Sequence, residues 1–334
     1  MKSLLRLSGV ILLAIFIDFC TKKPASIVIL TNNVSDIYFT SATSGGNVTD
    51  DGGSAIVSRG VCWSLINPPT IADSKTEDGE GTGSFSSDIS ELNVGTIYYV
   101  RAYATNSSGT VYGMVLSFTT LGFIFNPDLT YGSVSDIDGN TYKTIQIGTQ
   151  TWMAENLKTT KFNDSSSIDG VLDDILWWYL ARPAYCWYGN NANNMAIYGA
   201  LYNWYSIDAE TNRHKNICPA GWHVPTDTEW TTLTDHLGGY SIAGGALKET
   251  GKLHWITPNF GATNESGFTA LPGGYRDYNG KFNSYGIGFS GYWWSSPDSN
   301  NSGVLFRHLF YYYSSVHIVE GAKNDGFSVR CIMD

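Results

Sequence analysis

The chain predicts a mainly β protein of two domains, the second of them α+β. Three observations carry this. At 334 residues and 43% hydrophobic content the chain exceeds one typical domain and can bury two cores. Its 36 Gly, 21 Tyr and 11 Trp against only 15% charged residues favour short strands and tight turns over long surface helices. Period-two runs dominate, and a clear helical pattern with its own start signal comes only at Thr226. The net charge of -10 and the lack of any basic run beyond Lys22-Lys23 argue against a nucleic-acid partner.

The elements follow in chain order. Residues 1–20 read as an export signal: Lys2 and Arg6 precede an apolar run from Leu7 to Ile17 that is too short to span a bilayer. Cys20 directly after it resembles the lipid-modified cysteine of bacterial lipoproteins, although Asp18 and Phe19 replace the small residues common there. Lipidation is the expectation, with residues 21–25 as tether and a lipid anchor as the only membrane contact. The alternative, an ordinary signal peptidase, finds no small-x-small site nearby. Export would permit disulfides among Cys62, Cys186, Cys218 and Cys331, which allow three full pairings. No C-x-x-C pair suggests zinc.

Residues 26–120 alternate short strand-like runs with turn residues, as in "IVSRGVCWSL" and "GSFSSDISEL", the pattern of a β-sandwich. In "LNVGTIYYVRAYATNSSG", Leu92, Tyr98, Val100 and Ala102 fall on one side and Tyr99, Arg101 and Tyr103 on the other. Leu92, Gly95, Thr96 and Tyr98 resemble the tyrosine corner of fibronectin type III modules, with Val94 where a proline is common. That resemblance covers about a quarter of the chain and implies a spacer or adhesion module. Cys62 beside Trp63 reads as core. "TEDGEGTG" lacks the ligand spacing of a calcium loop and reads as a solvated hairpin tip. Residues 121–132 form a short, partly packed linker.

The second domain, 133–334, opens with hairpins. "DIDGN" imitates an EF-hand start, but Gly139 comes too early and Ile147 stands where glutamate is required. Tyr142, Thr144 and Gln146 alternate instead with Lys143, Ile145 and Ile147. "CPAGWHVPTDTEW" gathers Cys218, His223, Asp227 and Glu229 in a way that suggests a metal or catalytic site. Thr226-x-x-Glu229 is, however, a capping box, and Trp230, Leu233 and Leu237 follow at core spacing before Gly238-Gly239 ends the helix. His223 is expected to pack with Trp222 in the strand before that helix.

The segments "GTQTWMAENL", "YCWYGNNANN", "CPAGWHVPTDTEWTTL", "ESGFTALPGGYRDYNGKF", "GYWWSS" and "GFSVRCIMD" together resemble the Fibrobacter succinogenes major paralogous domain over 133–334. That family in turn resembles the C-type lectin-like fold and echoes the formylglycine-generating enzyme group. Under that resemblance Cys218 and Cys331 match the fold's long-range disulfide, whose closure contributes up to ~4 to 5 kcal/mol in the chain-entropy model. Cys186 is then an unpaired buried thiol.

The resemblance implies a cell-surface setting, so the expected function is recognition or adhesion without catalysis or cofactor. The alternative is a structural or accessory lipoprotein subunit of an outer-membrane assembly. A polysaccharide or a cell-surface protein is the expected partner. Lectin sites use calcium or aromatic stacking. "PNFGATNE" and "SPDSNN" offer oxygens but no recognised triplet, so no metal is expected. The aromatic candidates are Trp177 and Trp178, followed by Tyr179, and Trp293 and Trp294, preceded by Tyr292; Tyr311 to Tyr313 form a third run. Adjacent residues of an extended segment cannot all face one core, so these are either partly exposed or covered by loops. Arg276 and Asp277 either bond a ligand or pair with each other on a turn. No G-x-S-x-G, metalloprotease helix or dinucleotide loop occurs. The carboxylates Asp277 and Asp298 are the remaining glycosidase possibility.

Overall fold

The computed structural model describes residues 26–297 and 304–334. Cys20 and the other residues read as export signal and tether, 1–25, lie outside the described residues, as do Asp298 and most of "SPDSNN". The fold is mainly β, in two units. Among the described residues, one comprises 26–36, 43–89 and 98–118; the other comprises 37–42, 90–97 and the described part of 119–334.

The first unit is a two-sheet sandwich. Ile27–Thr31, Ala42–Asp51 and Gly83–Ile89 form one sheet, and Ser74–Lys75, Ser58–Ser64, Ile97–Asn106 and Gly109–Tyr112 run in order through the other, with Leu116–Thr119 also paired to Ile97–Asn106. Period-two side chains bury one face: Phe85, Ser87 and Ile89 point inward from Gly83–Ile89 while their neighbours are exposed. Val61, Cys62, Val100, Ala102 and Tyr103 are also buried. Tyr103 donates its hydroxyl to the Thr76 carbonyl at 2.7 Å, which satisfies its polar end inside the fold. Burial raises the Cys62 thiol pKa, which disfavours the reactive thiolate.

In the second unit a five-stranded sheet runs in the order Trp222–His223, Ile332–Met333, Gln150–Met153, Thr141–Ile147, Gly132–Ser135. The chain's last strand thus lies beside strands formed far earlier in the sequence, and Cys218 and Cys331 are disulfide-bonded next to it. Two three-stranded sheets complete the β structure: Asp169–Gly170, Ala184–Cys186, Leu201–Tyr202 and Ser290–Trp294, Leu305–Phe310, Val316–Glu320. The longest described helix is Asp227–His236. Residues of the stretch 121–132 join the unit's interior: Phe125, Leu129 and Tyr131 pack against its core, and Asn126 donates to the Asn264 carbonyl.

This unit has two large cores, and several strands run between them. Tyr142 and Met153 belong to one, with Trp204, Trp294, Phe306 and Phe327. Ile145, Ile147 and Trp152 belong to the other, with Trp230, Trp255, Phe268 and Trp293. The expected alternation along Thr141–Ile147 therefore buries side chains on both faces, with Thr144 and Ile145 both inside. Arg330 is fully buried, and its guanidinium donates to the Phe268 and Thr269 carbonyls and to Asn156 Oδ1.

Candidate functional site

The helix-start stretch does structural work. Thr226 caps Asp227–His236: Glu229 N donates to Thr226 Oγ1 at 3.2 Å, and Thr226 N donates to Glu229 Oε2 at 2.8 Å. Gly238 and Gly239 follow with φ of 92° and 94°, the left-handed backbone that ends a helix and favours glycine. His223 differs from its expected packing on Trp222. Its Nε2 meets Glu229 Oε1 at 2.8 Å and its Nδ1 meets Asp334 Oδ1 at 2.6 Å. The bond to Glu229, then that to Asp334, raises the His223 pKa to about 9 against the opposing effect of burial. The imidazolium ties the helix start to the chain's last residue. Among the described residues no group of three or more His, Cys, Asp or Glu is placed to hold a metal ion.

Three of the expected ring candidates are buried, which corrects their assignment as ligand-facing. Trp293 and Trp294 sit on Ser290–Trp294, where successive side chains point to opposite faces. Both faces are covered, so Trp293 enters one core and Trp294 the other. Their indole nitrogens donate to Asn156 Oδ1 at 2.8 Å and to the Tyr202 carbonyl at 2.7 Å. Trp177 is likewise fully buried and donates to the Asn324 carbonyl at 2.6 Å.

Arg276 is also corrected: it is 0% exposed and offers nothing directly to a ligand. It does not pair with Asp277. Its guanidinium donates to the carbonyls of Gly280, Val171 and Leu172 at 2.8, 2.7 and 3.0 Å and to Asp174 Oδ1 at 2.8 Å. It also lies 4.5 Å from the centre of the Trp177 ring. Asp277 shapes a turn, its Oδ1 accepting from the amides of Asn279 and Lys281. Gly280 in that turn has φ 82°, and a Cβ there would lie 2.3 Å from the Asp174 carbonyl oxygen, so a side chain would push the turn off the helix start.

These contacts hold the short helix Asp174–Trp178 in place. Asp173 caps it, accepting from Leu176 N at 2.8 Å. The Lys281 ammonium, and then Arg276, hold the Asp174 carboxyl below its usual pKa. Asn324 donates to the Trp178 carbonyl at 2.6 Å. Only one side of this helix is covered. Trp178 and Tyr179 therefore stay 50% and 75% exposed, their rings nearly parallel at 13° with centroids 5.7 Å apart. Leu172, Ile175 and Leu176 are exposed beside them in sequence.

The run Tyr311 to Tyr313 differs. Tyr312 and Tyr313 are exposed, but their rings stand at 84° to each other, so they do not offer one common face. Lys248 supports that loop from inside, donating to the carbonyls of Phe260, Phe310 and Tyr313. Burial lowers its pKa to about 8.

Of the residues singled out in sequence, the structure brings Trp177, Trp178, Arg276 and Asp277 together around one feature and leaves Trp293 and Trp294 in the interior. Asp174, Lys281 and Asn324 complete the support and are not among the residues that the sequence singles out. Asp173-Asp174 before a short apolar run carried a helix-start signal for the first of these. Nothing local marks the pairing of Arg276 with a residue 102 positions away.

Fold and site define a mainly β, two-unit protein whose second unit carries a disulfide between Cys218 and the last strand's neighbour Cys331 and displays a braced pair of aromatic rings. The chain belongs to the Fibrobacter succinogenes major domain family, whose family model matches residues 145–333, more than half of the chain. No curated protein matches it. Among solved structures it is similar to the sensor domain of the anti-sigma factor RsgI4 of Pseudobacteroides cellulosolvens, at 22% identity, TM-score 0.24, covering 29% of this chain and 76% of that one. It is also similar to a fibronectin type III domain of human fibronectin type III domain containing protein 3, at 17% identity, TM-score 0.21, covering 28% of this chain and 85% of that one.

Proposed function

We propose that this is an exported, non-catalytic recognition protein, held at a membrane by a lipid on Cys20, whose second unit has a C-type lectin-like fold and binds polysaccharide on the Trp178–Tyr179 rings. The observation that carries the reading is the exposure of two near-parallel rings on a helix braced from beneath by Trp177, Arg276 and Asn324. Flat apolar ring faces suit the C–H faces of pyranose rings, and bracing reduces the ordering cost of binding. The Cys218–Cys331 disulfide suits an oxidising compartment outside the cytosol.

A second reading, a subunit of an outer-membrane protein assembly, draws on a different feature of the same segment. Ile175 and Leu176 are more than 60% exposed, and aliphatic side chains beside aromatic ones suit a protein interface. A glycan array and a cross-linking pull-down from native membranes, each run with the full chain and with Trp178→Ala, decide between them. Glycan binding lost in the folded variant supports the lectin reading. A specific protein captured through Trp178, with every glycan silent, replaces it with the assembly reading.

A further inference from the structure

Next to the ring pair along the chain lies a polar cleft of about 410 Å³, lined in part by Phe162, Asp169, Arg182, Asn212, Arg213 and Lys215. Its volume is within the range of small-ligand sites. Ala181, also on its wall, follows Tyr179 by two residues, so their Cα atoms are no more than about 7 Å apart. The cleft stands out in a chain of net charge -10, because three cationic side chains line it against the single carboxylate of Asp169.

Two of those cations are engaged. Arg182 Nε meets Asp169 Oδ2 at 2.8 Å, and Lys215 Nζ meets Asp164 at 3.4 Å and the Ser166 hydroxyl at 2.5 Å. Arg213 is exposed and has no ion-pair partner among the described residues. Its backbone is held in place. Arg213 and His214 both adopt left-handed backbone, φ 65° and 59°, which is costly for two successive residues that are not glycine. Buried Asn212 maintains it, donating to the Ser206 and Lys215 carbonyls at 3.1 and 2.9 Å and accepting from Lys215 N at 2.9 Å, while His214 N donates to the Ala209 carbonyl at 2.7 Å.

We infer that this cleft gives the recognition surface a preference for acidic polysaccharide: a sugar carboxylate pairs with the Arg213 guanidinium while the chain continues over Trp178 and Tyr179. A planar guanidinium fork matches a carboxylate in two parallel hydrogen bonds. The inference rests on the lectin reading above and narrows it to uronate-bearing chains.

The test uses the full chain with polygalacturonate, its fully methyl-esterified form and dextran sulfate as probes. Arg213→Asn removes the cation with a residue that tolerates left-handed backbone, and thermal unfolding checks that the loop survives. Polygalacturonate is expected to bind about tenfold more tightly than its ester, a gap of about 1.4 kcal/mol, with the gap closed by Arg213→Asn and narrowed by added salt. Equal binding of acid and ester overturns the inference and leaves the lectin reading standing. Tighter binding of dextran sulfate than of polygalacturonate overturns the carboxylate assignment. Silence from all three probes and from every neutral glycan overturns both.

Discussion

Two aromatic runs in this chain read alike and are used in opposite ways. Tyr292-Trp293-Trp294 is a strand between two cores, so its two tryptophans point in opposite directions and are both buried. Trp177-Trp178-Tyr179 ends a five-residue helix covered on one side, so one ring is inside and two are out. What decides whether a ring is available is how many sides of its backbone element are covered. The number of adjacent aromatics does not.

The largest test of that contrast is a pair of truncations. Trp294→Ala leaves a cavity in a packed core and is expected to cost about 3–5 kcal/mol; Trp178→Ala is expected to stay within about 0.5 kcal/mol of the parent. Urea unfolding of both measures this, and comparable losses would dissolve the distinction. Next is the disulfide, whose two cysteines are 113 residues apart. Cys218→Ala with Cys331→Ala is expected to destabilise the second unit by about 2–5 kcal/mol, read as a lowered unfolding midpoint relative to the oxidised parent. The contrast then narrows to the brace. Arg276→Lys keeps a charge but not the fork that reaches Gly280, Val171, Leu172 and Asp174 together. It is expected to cost about 1–3 kcal/mol and to raise hydrogen exchange at 171–179 while sparing 290–294.

The smallest expected effect is a pH dependence at the helix start, far in sequence from both runs. His223 has a raised pKa, so its stabilising pairing is fully present below about pH 6.5 and fades as pH rises through about 9. Glu229, whose pKa is lowered, adds the opposite limit: its share is present above about pH 4.5 and declines on acidification. Both groups are partly exposed, so solvent screening keeps the effect modest. Thermal unfolding between pH 6.5 and 9.5 is expected to show a fall that His223→Ala flattens.

These features also separate what sequence reveals from what it hides. The capping box at Thr226 and Glu229 and the glycine stop depend on residues within one turn, so local chemistry exposes them. The Cys218–Cys331 pairing came through family resemblance, since four cysteines alone leave the choice open. The premise that adjacent residues in a strand cannot share a core is correct for Trp293 and Trp294, but a second core receives the other side chain. The role of Arg276 depends on carbonyls about a hundred residues away, and no spacing rule reaches that far.

The measurement that bears most directly on the central claim is titration of the full chain and of the double variant Trp178→Ala/Tyr179→Ala with the best glycan from the array, with unfolding followed on the same samples. The account predicts an unchanged unfolding transition and an affinity lower by about tenfold or more, about 1.4 kcal/mol. Unchanged affinity in the folded double variant would contradict it and place glycan recognition away from the Trp178–Tyr179 rings.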